Sequence, residues 1–206
     1  MNTKDRIAQE ALYLFSEKGY VASSVRDIAA AVGIKDSSLY NHYKSKQKIF
    51  DYVIEKYAKS FQEKFFSFYK KDEISADSLI LFSNAEMISE LGGQLFVSFA
   101  SDDDNNRLRK LLVTEMYHND DIKKVYAAYL TEPIVWATML FEKMMSVGIL
   151  VKADAQLLAH EFMAPIYTLL AEYDCGGTTM EAALDLLKRH VSMFFQLSKM
   201  NQRQEQ

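Results

Sequence analysis

The sequence predicts an all-α protein in which a small N-terminal domain of three helices precedes a larger helical domain. The 206 residues contain only 2 Pro and 7 Gly, which are too few turn-forming residues for the many turns of an all-β fold. Apolar residues recur with the 3.6-residue period of helices, and a hydrophobic content of 49% is ample for a packed core. We expect domains at residues 1–46 and 47–199, followed by a polar tail at residues 200–206.

The first helix is predicted from Thr3 to Lys18, and Gly19 is expected to end it. Its buried stripe consists of apolar residues at helical spacing, namely Ile7, Ala8, Ala11, Leu12, Leu14 and Phe15. This stripe should pack on two short helices and complete a unit of roughly 45 residues, which is small for independent stability.

The stretch after the first helix is typical of a helix-turn-helix. Ser24 and Asp27 form an S-x-x-D capping box, which satisfies free amides at a helix start. Gly33 supplies the turn, because a residue without Cβ reaches positive φ at little steric cost. The second helix, predicted from Asp36 to Tyr43, is too short and too polar for a core helix, and Leu39 is its apolar anchor.

The other side chains of this second helix are therefore expected to face outward. They carry groups that donate to phosphates or base edges: Ser37, Ser38, Tyr40, Asn41, His42 and Lys44. No acidic residue follows Asp36 until Asp51. Lys46 begins the next helix, where its charge and the free amides suit a phosphate. This geometry favours a recognition helix in the major groove of DNA; a solvated helix hairpin inside a helical protein is the alternative.

A more specific pattern lies in four segments: Leu14–Tyr20, Ser24–Ala29, Val32–Ile34 and Leu39–Lys46. In this order and without gaps, they make residues 3–50 resemble the DNA-binding domain of the TetR family of one-component transcriptional repressors. Two positions depart from the family pattern. Lys35 stands where the family usually has a small capping residue. Asp36 brings a carboxylate near the DNA, either to accept from cytosine N4 or to cap the helix.

The resemblance implies three sets of DNA-facing residues. Those expected at phosphates are Ser24, Ser38, Tyr40, His42 and Lys46. Those expected at base edges are Arg26, Ser37 and Asn41. The set is completed by Lys35, Asp36 and Tyr43. The implied partner is a double-stranded, near-palindromic operator, bound by a homodimer whose two recognition helices meet half-sites roughly 34 Å apart.

The charge distribution agrees with DNA binding by the N-terminal part of the chain. A net charge of -4 argues against a uniformly basic nucleic-acid binder. However, residues 1–71 hold 13 Lys and Arg against 8 Asp and Glu, whereas residues 72–206 hold 11 against 20. The basic part is the one with the recognition helix, and the acidic remainder is repelled by phosphates.

Beyond residue 44 the pattern predicts helices only. A long helix is predicted from Ser45 to about Tyr69, with one apolar side made of Ile49, Phe50, Val53, Ile54, Tyr57, Phe61, Phe65 and Phe68. Further helices are predicted at residues 76–91, 105–118, 121–147, 155–173 and 179–199. The expected breaks are Gly92–Gly93, the acidic loop of residues 102–106, Asn119–Asp120, Gly148 and Gly176–Gly177. A T-x-x-E capping box at Thr178 and Glu181 should open the last helix, and Pro133 and Pro165 are expected to kink helices from within.

Aromatic and methionine side chains of the larger domain can simply fill its core, and for most of them this is the better interpretation. The resemblance implies that some instead line a cavity for a small apolar or aromatic effector. The candidates are Phe61, Phe65, Met87, Met116, Tyr117, Trp136, Met139 and Tyr167.

The last two helices carry apolar faces suited to helix-on-helix packing. On the final helix these residues are Met180, Leu184, Leu187, Val191 and Phe194, and on the preceding helix they are Leu158, Phe162, Ile166, Leu169 and Leu170. In the family resembled, the two helices pair with their copies in a four-helix dimer interface.

Other chemistries find weak support in the sequence. Glu115 and His118 have the E-x-x-H spacing of a di-iron site, but such a site needs a second copy and two more carboxylates. Residues 102–106 mimic the start of a Ca²⁺ loop but lack its Gly and its bidentate Glu. No phosphate-binding Gly loop and no G-x-S-x-G motif occur. We therefore expect no metal, no cofactor and no enzymatic activity. A helical small-molecule-binding protein without DNA-binding function and a di-iron enzyme remain the alternatives.

The single cysteine, Cys175, cannot form an internal disulfide, which favours a reducing compartment. The sequence shows neither a charged-then-apolar leader nor a run of 18 apolar residues. We expect a cytoplasmic protein that does not cross a membrane.

Overall fold

The computed structural model describes residues 2–68, Leu79 and residues 84–200, and the elements in these ranges are all α-helices. They are α1 (Thr3–Lys18), α2 (Val25–Val32), α3 (Asp36–His42), α4 (Lys46–Phe68), α5 (Ala85–Ala100), α6 (Asp103–Glu115), α7 (Asp120–Ser146), α8 (Ala155–Asp174) and α9 (Met180–Met200). The predicted all-α class is confirmed. Tyr69, most of the start of the helix predicted at residues 76–91, and residues 201–206 of the predicted polar tail lie outside the described residues.

The N-terminal helix has the predicted bounds and the predicted buried face. The Asn2 side chain accepts from the Asp5 amide at 2.8 Å and so starts α1, and Gly19 ends it with φ at 81°. The six apolar residues of the predicted stripe are all buried. Burial of such side chains contributes about 1.5–3 kcal/mol for each of the larger ones.

Internal contacts divide the chain into two compact units. The first, called here the N-terminal unit, comprises residues Met1–Lys64 and Asp103–Tyr129, and the second, the C-terminal unit, comprises Phe65–Asp102 and Leu130–Gln206. The N-terminal unit thus contains α6 in addition to the three helices predicted for it. The helices α4 and α7 each contribute residues to both units. The functional division of the chain at residue 46 stays a prediction.

In the N-terminal unit, α1 is the central element and packs on both α2 and α6. Rings of Phe15, Tyr20 and Phe50 form a cluster with centroids 4.6–5.5 Å apart, which joins α1, the following loop and the start of α4. At the surface, Lys110 on α6 donates to the Glu17 carboxylate on α1 at 2.9 Å. This hydrogen bond holds the pKa of Glu17 below its ordinary value.

In the C-terminal unit, α9 packs on α5 and α8. The rings of Phe141, Phe162 and Phe194 meet with centroids 4.9–5.7 Å apart, so that α7, α8 and α9 share one aromatic core. Pro133 and Pro165 lie inside α7 and α8, as the sequence predicts. None of the described helices has the length and hydropathy to span a membrane.

Several predicted helix boundaries are wrong. Gly92 and Gly93 do not break a helix, because both lie inside α5, which starts at the Asn84 cap and continues to Ala100. The acidic loop is shorter than predicted, since α6 already begins at Asp103, where carboxylates complement the helix dipole.

The last helix begins one residue later than its predicted capping box implies. The hydroxyl of Thr179 accepts from the Ala182 amide at 3.2 Å, so that Thr179 and not Thr178 caps α9. The predicted breaks at Asn119, Gly148 and Gly176 are confirmed. The Asn119 side chain accepts from the Asp121 amide, and the two glycines have φ of 78° and 71°.

Candidate nucleic-acid interface

The turn between α2 and α3 is built from the residues that predicted it. The Asp27 amide donates to the Ser24 hydroxyl at 3.1 Å, and the Ser24 amide donates to the Asp27 carboxylate at 2.9 Å. This capping box lowers the pKa of Asp27 through the hydrogen bonds from Ser24. Gly33 has φ at 75° and ψ at 34°, in the left-handed region that closes helices. The two short helices are therefore joined by a well-defined turn.

The short helix α3 turns Leu39 inward and its polar side chains outward. Leu39 is 0% exposed, and Tyr40 is 46% exposed. The other outward residues fall into an exposed group and a half-buried group. The exposed ones are Ser37, Asn41, His42 and, just after the helix, Lys44, and the half-buried ones are Asp36 and Ser38. These hydroxyl, amide, imidazole and ammonium groups form one face of donors for phosphates or base edges.

Arg26 and Asp36 form an ion pair between the starts of α2 and α3. The Arg26 Nε lies 3.3 Å from the Asp36 carboxylate, and the two side chains are 88% and 46% exposed. Asp36 does not act as the helix cap, since Lys35 holds the N-cap position without a capping hydrogen bond from its side chain. An exposed pair of this kind contributes about 0–1 kcal/mol. Its contribution to stability is therefore small.

The Lys46 ammonium, for which a phosphate contact is predicted, makes hydrogen bonds inside the N-terminal unit. Its Nζ donates to the carbonyl oxygens of Tyr20 at 2.8 Å and Ser23 at 2.9 Å, and it lies 4.2 Å from the centroid of the Tyr20 ring. These carbonyls belong to the loop between α1 and α2. Lys46 thus fixes the position of α2 on the first turn of α4.

Tyr43 is also placed by packing and is not part of the exposed face. It is 4% exposed, and its hydroxyl donates to the Lys4 carbonyl at 3.3 Å. Burial raises the pKa of this phenol. The hydrogen bond anchors the end of α3 to α1, and the Tyr43 ring packs against Tyr52 of α4 with centroids 5.5 Å apart. A direct DNA contact by the Tyr43 side chain does not fit this burial.

Glu115, whose spacing to His118 resembles that of metal ligands, is a structural residue of this unit. It is 8% exposed, and its Oε1 accepts from the Tyr20 amide at 2.9 Å. Among the residues that the structure describes, no cluster of three or more His, Cys, Asp or Glu is suited to a metal ion. Glu115 instead completes the hydrogen bonding of the loop after α1. No local sequence pattern predicts this hydrogen bond, because its two residues are 95 positions apart in the sequence.

The eight residues predicted to line an effector cavity do not share one environment. Phe61, Phe65 and Trp136 are buried, whereas Met87, Met139 and Tyr117 are 40%, 45% and 77% exposed. Met116 is half-buried. Tyr167, also half-buried, donates its hydroxyl to the Leu130 carbonyl at 2.8 Å. Exposed side chains such as Tyr117 do not enclose a ligand, so only the buried members keep the predicted role as an open proposal.

Half of the eight residues predicted for a dimer interface are buried in the chain's own core, and the other half are partly exposed. Buried within the single chain are Leu169, Leu187, Val191 and Phe194, and half-buried are Leu158, Phe162, Ile166 and Leu184. The apolar side chains that α8 and α9 leave exposed are different ones. Leu157, Leu186, Met193 and Leu197 have exposures of 43–58%.

A family model of bacterial regulatory proteins, the tetR family, matches residues 7–53. Curated relatives match the same region. The negative transcriptional regulator IcaR of the icaADBC biofilm operon of Staphylococcus aureus is 50% identical over 48 residues, which are 23% of this chain and 26% of that protein. Its counterpart from Staphylococcus epidermidis is 46% identical over 52 residues, or 25% and 28% of the two chains. The match thus spans about a quarter of the length of these relatives.

Solved structures resemble the fold over nearly the whole chain. A crystal structure from Mesorhizobium loti has a TM-score of 0.70 at 17% identity and covers 95% of this chain and 96% of its own. A TetR-like transcriptional regulator from Rhodococcus sp. RHA1 has a TM-score of 0.67 at 18% identity, with 92% and 93% covered. GusR of Salmonella enterica gives 0.64 at 17% identity, with 94% and 95% covered. Residues 7–53 are thus similar to the tetR family of bacterial regulatory proteins, and the chain as a whole shares the fold of these solved structures.

Proposed function

We propose that the protein is a sequence-specific DNA-binding repressor that acts as a homodimer on a near-palindromic operator. The observation that supports this most directly is the exposed donor face of α3, which is held in place by the fully buried Leu39. Such a face on a short second helix suits the major groove. The partial identity with IcaR, itself a negative regulator, favours repression.

Within this proposal, the side chains divide into three roles. Those assigned to phosphates are Ser24, Ser38, Tyr40, His42 and Lys44. Those assigned to base edges are Arg26, Ser37 and Asn41. Lys35 and Asp36 are assigned to the choice of operator sequence. Asp36 does so through Arg26, because the two side chains form an ion pair. Lys46 and Tyr43 position the reading helices through the loop carbonyls and the α1 contact.

The proposed dimer uses the apolar residues that α8 and α9 leave exposed. We define the α8–α9 stripe as the exposed residues Leu157, Ala164, Thr168 and Ala171 together with Ala182, Leu186, Met193 and Leu197. Within each helix they recur at spacings of three, four or seven, so they lie on one side. A two-fold axis through this stripe makes a self-complementary interface and supplies the two recognition helices that a palindrome needs.

A small molecule that binds the C-terminal unit is proposed to change the DNA affinity. The long helix α4 connects the two units through its own backbone, because residues 46–64 belong to one and residues 65–68 to the other. A ligand that shifts α4 alters the placement of the recognition helices, and couplings of this kind amount to about 1–3 kcal/mol. The sequence favours an apolar or aromatic effector, for which Phe65 and Trp136 are the buried candidates in the C-terminal unit.

The test is selection of bound fragments from randomised DNA, followed by binding titrations on the selected operator. Asn41→Ala should relax the choice at one base position, because a base-edge contact carries roughly 1–3 kcal/mol of discrimination. Lys44→Ala should weaken binding to all sequences alike and reduce the salt slope by about one. Lys143→Ala, an exposed lysine on α7, serves as the matched control and should change neither quantity.

A protein that binds small molecules without binding DNA predicts a different result. Selection would then enrich no fragment, and no mobility shift would appear at low salt. Equal salt slopes for Lys44→Ala, Asn41→Ala and the parent protein would contradict the division of roles while leaving DNA binding itself in place.

A further inference from the structure

Two prolines lie inside helices of the C-terminal unit, Pro133 in α7 and Pro165 in α8. A proline in a helix interior has no amide to donate to the carbonyl four residues before it, and its ring pushes that carbonyl aside. The turn before the proline thus lacks one of its hydrogen bonds, and its carbonyl oxygens can accept from donors outside the helix.

In both helices, a side chain of the next helix donates to the carbonyl three residues before the proline. The Tyr167 hydroxyl of α8 donates to the Leu130 carbonyl of α7 at 2.8 Å. The His190 Nε2 of α9 lies 2.8 Å from the Phe162 carbonyl of α8 and is the donor, because a carbonyl only accepts. The same offset from the proline thus occurs twice, with the donor on the following helix each time.

These two hydrogen bonds are connected through α8. Phe162 lies three residues before Pro165, whereas Tyr167 lies two residues after it. The direction in which the helix leaves Pro165 therefore determines where the Tyr167 hydroxyl lies relative to α7. The His190 ring is itself held by packing, with its centroid 5.5 Å from that of Phe162 and 6.4 Å from that of Phe194. A restraint on α9 is thus passed through α8 to α7.

The Leu130 carbonyl lies where α7 passes from one unit to the other. Residues of α7 up to Tyr129 belong to the N-terminal unit, and residues from Leu130 onwards belong to the C-terminal unit. The helix continues across this division from Asp120 to Ser146. The hydrogen bond from Tyr167 therefore acts on the first turn of α7 that belongs to the C-terminal unit, and this turn is the one that a proline weakens.

We propose that the Tyr167 hydroxyl is a latch on the α7 turn before Pro133, and that its release loosens the residues of α7 that belong to the N-terminal unit. A small displacement of α8 is enough to open the latch, because an O–H···O hydrogen bond has a donor–acceptor distance of only about 2.5–3.0 Å. The latch makes α7, beside α4, a second helix through which a ligand of the C-terminal unit changes DNA affinity, and this regulatory role rests on the proposed function.

Hydrogen exchange of the full chain, without DNA or ligand, tests the latch. Tyr167→Phe removes the hydroxyl and keeps the ring. We expect the amides of residues 121–137 to exchange about tenfold faster than in the parent, because the Leu130 carbonyl loses its side-chain donor and the turn opens locally. Amides of α1 and α9 should keep the parent's rates. Tyr173→Phe, at a half-buried tyrosine of the same helix, is the matched control and should change none of these rates.

Two further variants test the dependence on the proline and the connection to α9. Pro133→Ala restores the missing amide, so that the turn no longer depends on the Tyr167 hydroxyl. In this background, Tyr167→Phe should change the exchange of α7 by less than about twofold. His190→Phe keeps an aromatic ring but cannot donate, and it should accelerate exchange in α7 as well as in α8. Thermal unfolding establishes that each variant is folded.

The regulatory consequence is measured on the operator selected from randomised DNA. Tyr167→Phe should weaken operator binding by about fivefold, because residues of α7 that are loosened in the free protein must be ordered again when DNA binds. Tyr173→Phe should bind the operator with the parent's affinity.

The latch is refuted if α7 exchanges at the parent's rate in Tyr167→Phe, if α1 and α9 accelerate as much as α7, or if the effect persists unchanged in the Pro133→Ala background. These measurements contain no DNA, so their outcome does not depend on the proposed function. Faster exchange in α7 with an unchanged operator affinity would refute the regulatory role. Absence of any DNA binding would refute the proposed function and leave the latch to be decided by hydrogen exchange.

Discussion

Lys46 shows how one side chain can support the helix-turn-helix through contacts inside the N-terminal unit. Its ammonium, which donates to two carbonyls of the loop between α1 and α2, joins the start of α4 to the loop that leads into α2. The Glu115 carboxylate binds the same loop by accepting from the Tyr20 amide. Backbone groups of a partly buried loop need such partners, so these two residues define the entry to the helix-turn-helix.

Replacement of Lys46 by methionine is predicted to lower the stability of the N-terminal unit. Methionine keeps the aliphatic stem but leaves the Tyr20 and Ser23 carbonyls without their charged donor. Hydrogen bonds to charged groups contribute about 1.5–3 kcal/mol. Because Lys46 is half-buried, we expect the free energy of unfolding to fall by roughly 1–3 kcal/mol, as measured by urea denaturation.

Lys44→Met is the matched control, because Lys44 is exposed on the neighbouring turn. It should weaken DNA binding while changing the free energy of unfolding by less than about 0.5 kcal/mol. If the two variants lost the same stability, or if Lys46→Met lost only DNA affinity, the structural role of Lys46 would be refuted.

At the scale of helices, the sequence predicts best where a boundary is marked by its own residues. The bounds of α1, the capping box of α2 and the Gly33 turn could be read directly, because each depends on side chains within four positions. The glycine pair in α5 could not. Neither Gly92 nor Gly93 has a positive φ, and their helical conformation is set by packing of α5 on α8 and α9. Glycine at these positions is a tolerated helix residue and not a break.

Gly92→Ala is therefore predicted to stabilise the protein. Nothing lies within 4 Å of a Cβ built at Gly92, so alanine adds no clash. In a helix interior, alanine is favoured over glycine by about 0.8–1 kcal/mol. Thermal unfolding should show a higher midpoint for this variant than for the parent.

Alanine at Gly33 should instead lower the stability of the protein. Here φ is 75°, and although the surrounding space is also open, a Cβ in the left-handed region costs about 1–2 kcal/mol. Stabilisation by Gly33→Ala, or a loss of stability by Gly92→Ala, would show that the backbone conformation of these two positions has been assigned incorrectly.

At the scale of the whole molecule, local patterns identify the right helices but not the face that each one presents. The four-and-three spacing on the last helix correctly indicates helix-on-helix packing. Leu187, Val191 and Phe194 nevertheless contact the chain's own core. A periodic apolar seam does not reveal whether the partner helix belongs to the same chain or to another copy. The candidate interface residues can therefore be identified only from the exposed side chains of the folded structure.

The α8–α9 stripe leads to the last prediction, which concerns assembly. Leu186→Glu with Met193→Glu should convert the proposed dimer to a monomer. Each carboxylate would be buried without a partner, twice per dimer, and an unpaired polar group costs about 1–3 kcal/mol on burial. Sedimentation velocity should show at least a hundredfold weaker association, and operator affinity should fall with it, because one recognition helix then binds one half-site. Val113→Glu, an exposed site on α6, is the control and should remain dimeric. A double variant that keeps the parent's sedimentation and operator affinity would place the interface elsewhere on the protein.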